Sequence, residues 1–442
     1  MTGCADDSAE TIPLHKIAFF FLLLFVASSF ADLRFSVGGK GFFTFSNFEF
    51  YGYLMLLALL ASACMESFTV DVTRTLSDRL HRWLLLYFSW GLVAAVLTRG
   101  AVGQTILIDL KEILPSIIAY FSIMLIINNQ NKARLLIGAW TCAGLLNVLL
   151  GLSQFFLGGP HPVQPGENAL DKLDISGEVA TSLVTGCFSH PNLFSQVLMP
   201  YFVVFATAWL LSDRKFALKS LKFLLLGAIF AAVLLLTMAK GAMVWSLLGV
   251  CIAVAMSRWK RVRSIYFFTG CWLLLIAAMN SVALLLFFQI VEFDSLRTIF
   301  SRIQFVITSG NLFMDHPLNA LFGGGMRFWP QYASLWASWE YPNAHNVYLN
   351  QMLLYGAVGL VLLVSFIVAH VKRGIASVRP ATDPLMSPLP YLAAVFAMTG
   401  SYFFEPSFDD PIQKFQLFFA LAMGFACSRT GSVDYATGTG VK

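Results

Sequence analysis

Ala344-His345-Asn346-Val347-Tyr348-Leu349-Asn350 closes a long polar, aromatic stretch and opens an apolar one that runs to Ala369, with glycines at Gly356 and Gly359. An apolar run of roughly 20 residues can cross a ~30 Å hydrocarbon core as a helix. The junction therefore reads as the point where a loop in water meets a membrane span. The same pattern recurs along the chain, and twelve spans are expected, at 14–32, 50–68, 83–98, 106–127, 135–157, 192–212, 223–239, 241–257, 264–291, 345–369, 386–404 and 412–428. Composition agrees. Of 442 residues 58% are hydrophobic and 12% charged, with a mean hydropathy of +0.73; soluble domains carry about 25% charged residues. The expectation is an all-α polytopic membrane protein of about twelve transmembrane helices, forming one integral membrane domain over 1–442. The first apolar run, Ile17 to Ala31, follows an acidic leader and lacks a clear small-residue cleavage site. It reads as the first helix rather than a signal peptide.

Charge sets the expected orientation. With the N-terminus inside, the inner segments hold 19 of the 29 Lys+Arg and 9 of the 24 Asp+Glu, which leaves +10 inside and −5 outside. Short basic connections such as Arg214-Lys215, Lys260-Arg261 and Lys372-Arg373 then mark the cytoplasm. Topology explains these runs, so no nucleic-acid partner is invoked. Two long connections, 158–191 and 292–344, fall outside. The seven cysteines form no CxxC and lie mostly in apolar runs, which argues against a zinc site or a disulfide framework. No GxxxxGK[ST], HExxH, GxSxG or DxD is present, so nothing points to a nucleotide-driven pump, a zinc protease, a serine hydrolase or a metal-dependent sugar-nucleotide transferase. Asp109, Lys111 and Glu112 come nearest to the carboxylates of an ion-coupled transporter, with mutual pairing as the other reading.

The candidate chemistry lies on the outer side. His345 sits at the mouth of the tenth span, where a neutral imidazole can take a proton from a hydroxyl or simply anchor the helix. Asn343 or Asn346 is expected to cap that helix. Tyr348, Met352 and Tyr355 share a face by helical spacing, while Gly356 and Gly359 leave room for a neighbour or a ligand. His190-Pro191-Asn192 reads as another helix start, with free N–H groups that favour an anion. Lys240 lies between two apolar runs, at a sharp turn or a break in a helix. It is placed to hold a phosphate or to reach the headgroups. The 292–344 loop carries Arg302, His316-Pro317, Gly323-Gly324-Gly325 and Arg327 among several tryptophans and tyrosines. Arginine forks suit phosphate oxygens and aromatic rings suit sugar faces, although an interfacial aromatic belt also explains single tryptophans. Leu296, Ile299, Ile303, Val306 and Ile307 suggest a short amphipathic helix lying on the bundle.

His345-Asn346, nine residues, Gly356, two residues and Gly359 resemble the signature of the bacterial O-antigen ligase and O-antigen polymerase superfamily. In order along the chain, Gly186 to Asn192 resembles the family's glycine-to-Pro-Asn helix start. Thr237 to Ala242 resembles its Ser-Arg-Gly-Ala turn, and Ser301-Arg302 with Pro317 to Gly325 resembles the region before the histidine. The resemblance covers most of 50–424. It implies a GT-C-like bundle in the bacterial inner membrane, with both termini cytoplasmic. It also implies a periplasmic transfer of glycan from undecaprenyl diphosphate to a glycan or lipid A-core hydroxyl, with the bilayer and other polysaccharide-assembly proteins as partners.

By the same resemblance His345 is the general base, and inversion at the anomeric carbon is expected. Arg302, Arg327 and Lys240 hold the leaving diphosphate, so no metal or cofactor is called for. His316, His190, Asn192, Asn346 and Tyr348 line or support the glycan site. Ligases of the family usually carry arginine at the position of Lys240, and lysine lacks the two-pronged geometry. That difference favours an exopolysaccharide repeat-unit polymerase over a ligase. A lipid-linked sugar flippase is the competing class. It predicts pseudo-symmetric halves and charge within the central spans.

Overall fold

The computed structural model describes residues 14–30, 34–37, 43–63, 78–98, 100–157, 184–185, 188, 191–212, 217–259, 270, 296–324, 346–378, 383–403 and 410–436. Among the described residues the protein is helical apart from one hairpin. In chain order the elements are α1 (Leu14–Ser28), β1 (Arg34–Val37), β2 (Phe43–Ser46), α2 (Asn47–Ala63), α3 (Arg79–Thr98), α4 (Gly100–Ile126), α5 (Gln130–Leu157), α6 (Pro191–Leu211), α7 (Leu218–Leu236), α8 (Lys240–Arg258), α9 (Leu296–Asp315), α10 (Pro317–Phe322), α11 (Val347–Ala376), α12 (Leu389–Ser401) and α13 (Pro411–Ala436). The strands pair antiparallel, Arg34 opposite Ser46 and Val37 opposite Phe43, and form the one departure from the all-α expectation. The expected span at 264–291 lies outside the described residues except for Gly270.

Among the described residues, α3, α5, α6, α8 and α11 are long and apolar enough to cross a membrane, and shorter apolar helices accompany them. Leu57, Val96, Leu149, Leu225, Leu247 and Val361, from six different helices, point outward. A bilayer accommodates such a surface and water does not. α1 is part of the bundle, as its reading as a helix requires. Ala18, Leu22 and Phe25 are fully buried against α2 and α5.

At the centre stand α12 and α13. Every residue of α12 is buried, as is α13 from Pro411 to Cys427. A helix that is apolar all round belongs in a core rather than at a surface. α12 is shorter than the expected 386–404. Pro384, Pro388 and Pro390 delay its start, and a 3-10 turn, Pro384–Met386, precedes it. Its 13 residues span about 20 Å at 1.5 Å per residue. Gly249 of α8 lies against the Ala393 carbonyl, and Gly400 lies against the Trp245 ring, so small residues let these helices touch.

One end of the bundle is basic. Arg373 pairs with Asp78 at 2.7 Å, Arg134 with Asp383 at 3.2 Å, and Arg429 donates to the Met124 carbonyl at 3.3 Å. These residues come from connections that the charge count assigned to a single side. Just beneath, the Tyr120 hydroxyl lies 2.6 Å from His81 Nδ1 and 2.5 Å from His370 Nε2. His370 Nδ1 lies 2.9 Å from the Phe366 carbonyl, which can only accept, so Nδ1 carries the hydrogen. Neutral His370 then accepts the Tyr120 proton at Nε2, and His81 Nδ1–H donates to Tyr120. The chain of hydrogen bonds runs in one direction.

α11 is broken at Gly356, which adopts φ 69° and ψ −179°. A side chain there would overlap the Leu321 carbonyl of α10. Gly323, at φ 93°, lies as closely against Leu354, and Gly324 N–H donates to the Leu353 carbonyl at 2.8 Å. Of the two glycines expected to admit a neighbour or a ligand, Gly356 admits the backbone of the 317–324 segment and Gly359 lies against Tyr355 and the Trp90 ring.

Gly356→Ala should cost about 1–3 kcal/mol for the left-handed backbone alone, and more for the overlap. Gly241→Ala, with nothing within 4 Å of the added carbon, should be neutral or slightly stabilising. Thermal unfolding of the purified protein in detergent compares the two. At the basic end, partial burial alone would raise the Asp78 carboxyl. The Leu80 N–H, the Arg373 hydrogen bond and the Arg373 charge outweigh it and hold the pKa below its ordinary value. A depressed carboxyl stabilises the fold above the ordinary value of about 4, and the gain is lost as pH falls through the folded value. Asp78→Asn should therefore lower the melting temperature slightly near pH 7, and the difference should shrink as pH falls below about 4; both partners are partly solvated, so the effect is small.

Candidate functional site

The end opposite the basic one, here the mouth, is built from helix ends. α11 starts at Asn346, whose Oδ1 accepts from Leu349 N–H at 3.1 Å, so Asn346 rather than Asn343 is the cap seen among the described residues. Asn346 Nδ2 donates to the Phe403 carbonyl at 3.1 Å, and Val347 N–H to the Tyr402 carbonyl at 2.9 Å. These contacts tie the start of α11 to the end of α12. One residue back, the Ser401 hydroxyl donates to Gln196 Oε1 of α6 at 2.7 Å. Gln413 Nε2 donates to the Leu193 carbonyl at 3.1 Å, and Asp410 caps α13 by accepting from Ile412 N–H at 2.8 Å. α8 reaches the same end, since Trp245 packs on Gly400 and Lys240 lies five residues earlier, about 7 Å along the axis. The starts of α6, α8, α11 and α13 therefore share one end. Each directs its first N–H groups the same way, an arrangement that favours anions.

Lys240 opens α8 after a sharp turn, one of the two arrangements expected. Thr237 closes α7, Met238 takes the left-handed φ of 54°, and no side chain caps Ala239. The lysine is exposed. A cation at a helix N-terminus opposes the helix dipole, so it is poorly placed for stability and well placed for an anion. Asn192 is half-buried in the first turn of α6, and its carbonyl accepts from Ser195. Helix start and proline coincide at Pro191, as the His-Pro-Asn reading expected. Tyr348 donates to the Thr399 carbonyl at 2.7 Å and Tyr355 to Asp109, so the two tyrosines serve different neighbours despite their shared spacing. His316 is the N-terminal flank of α10, with Pro317 in the first turn.

Arg302 lies on the backbone of α9. That helix has 20 residues and is longer than the short one expected. Its buried stripe is Phe305, Thr308, Ser309 and Leu312, while Val306 and Ile307 are about half exposed, at 53% and 52%. Of the expected stripe, Val306 and Ile307 thus face outward, with buried positions beside them. The apolar face at Val306 and Ile307 turns away from the bundle, as a helix at a lipid boundary allows. His345, His190 and Arg327 lie outside the described residues.

Below the mouth is a polar group that sequence reading missed. Lys414 of α13 has a fully buried side chain. It contacts Asp109 at 2.7 Å and Glu112 at 3.5 Å. Tyr355 donates to the second oxygen of Asp109, Tyr87 donates to Gln351 at 2.5 Å, and Trp90 Nε1 donates to the Tyr355 carbonyl at 2.7 Å. Asp109 and Glu112 thus pair with another helix instead of with Lys111, which reaches Glu49 at 3.3 Å. The available signal was Gln413-Lys414-Phe415-Gln416, three polar residues in four at the head of an apolar run. Among the described residues, no cluster of three or more His, Cys, Asp or Glu is placed to hold a metal. Compared with known protein families and with curated protein sequences, the chain matches none.

Lys414→Met leaves Asp109 buried without its cation and should cost about 3–5 kcal/mol. Changing Lys414→Met, Asp109→Leu and Tyr355→Phe together should recover most of that loss, because an apolar set of similar volume replaces the ion pair. Unfolding of the variants in detergent measures both.

Proposed function

We propose that this protein is a membrane glycosyltransferase that joins glycans carried on a polyprenyl diphosphate, most simply as a repeat-unit polymerase for a surface polysaccharide. The observation that carries the proposal is the contact of Gly323 and Gly324 with Leu353–Gly356. It joins two sequence segments that separately resemble the ligase and polymerase superfamily. The shared end of α6, α8 and α11 adds a third and a fourth, at Pro191-Asn192 and at Lys240.

Such a mouth suits the chemistry. His345, one residue before the Asn346 cap, takes the acceptor hydroxyl proton as the oxygen attacks the anomeric carbon. The carbon–oxygen bond to the diphosphate breaks on the opposite face, and configuration inverts. Lys240 and the uncapped start of α8 meet the charge that grows on the leaving diphosphate, with Arg302 and Arg327 as further cations. A lysine here, in place of the ligases' arginine, supports the polymerase over transfer to lipid A-core.

A second reading has one observation in its favour. Lys414, Asp109 and Glu112 place charge inside the bundle, as a flippase for lipid-linked sugars would. Glycan joining by the purified parent protein separates the classes, and His345→Ala tests the base. The enzyme reading expects loss of glycan joining by about 10²–10⁴-fold in an assay with purified protein and lipid-linked glycan. Joining at the normal rate removes His345 as the base. Lys240→Arg should keep most activity and Lys240→Ala should lose it, read as kcat on the same donor. In a strain lacking the protein, single unpolymerised repeats on a gel support the polymerase. Full-length chains left on the carrier support a ligase.

A further inference from the structure

The first segment of α11, Val347 to Tyr355, ends at the left-handed Gly356, so it can swing about that residue unless something holds it. It is held at both ends. At its start, Val347 N–H and Asn346 bond to Tyr402 and Phe403. At its foot, Gln351 accepts from Tyr87, the Tyr355 carbonyl accepts from Trp90, and the Tyr355 hydroxyl donates to Asp109. Asp109 is in turn fixed by Lys414 at 2.7 Å. Lys414 stands in the first turn of α13, where the helix dipole opposes a cation, and its side chain is fully buried. Packing alone is served as well or better by apolar residues. Geometry is what the ion pair supplies. It gives one carboxylate a single place and, through it, gives the tyrosine beside the break a single place.

We infer that Tyr355, Asp109 and Lys414 are positioning residues that set the angle of the 347–355 segment, and with it the place of the Asn346 cap at the mouth. The catalytic part of this inference rests on the glycosyltransferase reading.

Tyr355→Phe keeps the ring and the ion pair and removes one hydroxyl. Its kcat per folded molecule should fall by about 10- to 100-fold, the scale of a small misplacement of a reacting group. KM for the lipid-linked donor should stay within about twofold, because donor contacts are not touched. Amide hydrogen exchange over 346–355 should speed up, while exchange over α12 and α13 stays as in the parent. The apolar triple variant of Lys414, Asp109 and Tyr355 is the second arm. It should recover melting temperature without recovering kcat. Recovery of both shows a merely structural role and overturns the inference, as does unchanged turnover in Tyr355→Phe. If His345→Ala retains full activity, only the base assignment fails; if the purified parent protein joins no lipid-linked glycans, the glycosyltransferase reading fails instead. Exchange over 346–355 then decides the positioning role alone, and unchanged exchange overturns it.

Discussion

A helix that breaks inside an apolar bundle releases backbone carbonyls that neither lipid nor water can satisfy, and each must find a donor. The break at Gly356 is where this protein meets that demand. Gly324 N–H takes the Leu353 carbonyl and Trp90 takes the Tyr355 carbonyl. Much else follows from those two bonds. The first draws the 317–324 segment against α11, which requires glycine at 323 and 356. The second draws α3 against α11. The glycine spacing that first looked like room for a ligand is, in the structure, the room that two backbones need to cross.

The mouth and the buried ion pair are complementary outcomes of the same cost. Helix starts gather at one end, and that of α8 has no side-chain cap, so a negative group can be met there. One helix start, that of α13, is turned inward and capped by Asp410, and the cation in its first turn is answered by carboxylates of α4. Lys240, the first residue of α8, and Lys414, the fourth of α13, thus stand near the starts of their helices with opposite surroundings. One faces out and is open to a partner, and the other is enclosed by Asp109 and Glu112. The first suits binding and the second suits holding shape.

Depth along the bundle was legible in the sequence, and angle around each helix was not. The spans at 192–212 and 241–257 correspond to α6 and α8 within one residue, and that at 345–369 to α11, which runs seven residues further. The cap at Asn346, the turn before Lys240 and the clustering of the basic connections were also readable. Each depends on local chemistry or on net charge. Lys414 escaped notice because hydropathy averages over a window and places a residue near a boundary without saying which neighbour it faces. The pairing of Asp109 with α13, and the outward turn of Val306 and Ile307, depend on contacts between segments hundreds of residues apart or on the medium beyond the protein. The short hairpin of β1 and β2 was passed over because two four-residue strands leave little mark beside long apolar runs.

The brevity of α12 bears on how the protein is made. A segment about 20 Å long cannot bridge a ~30 Å hydrocarbon layer, and Pro390 and Ser401 within it gain nothing from lipid. Its partners α6 and α8 precede it in the chain and α13 follows it. A place for α12 in the membrane therefore depends on helices from both sides of it in the chain. A chain cut between α12 and α13 leaves a hollow in the bundle and a segment with no stable place in the membrane.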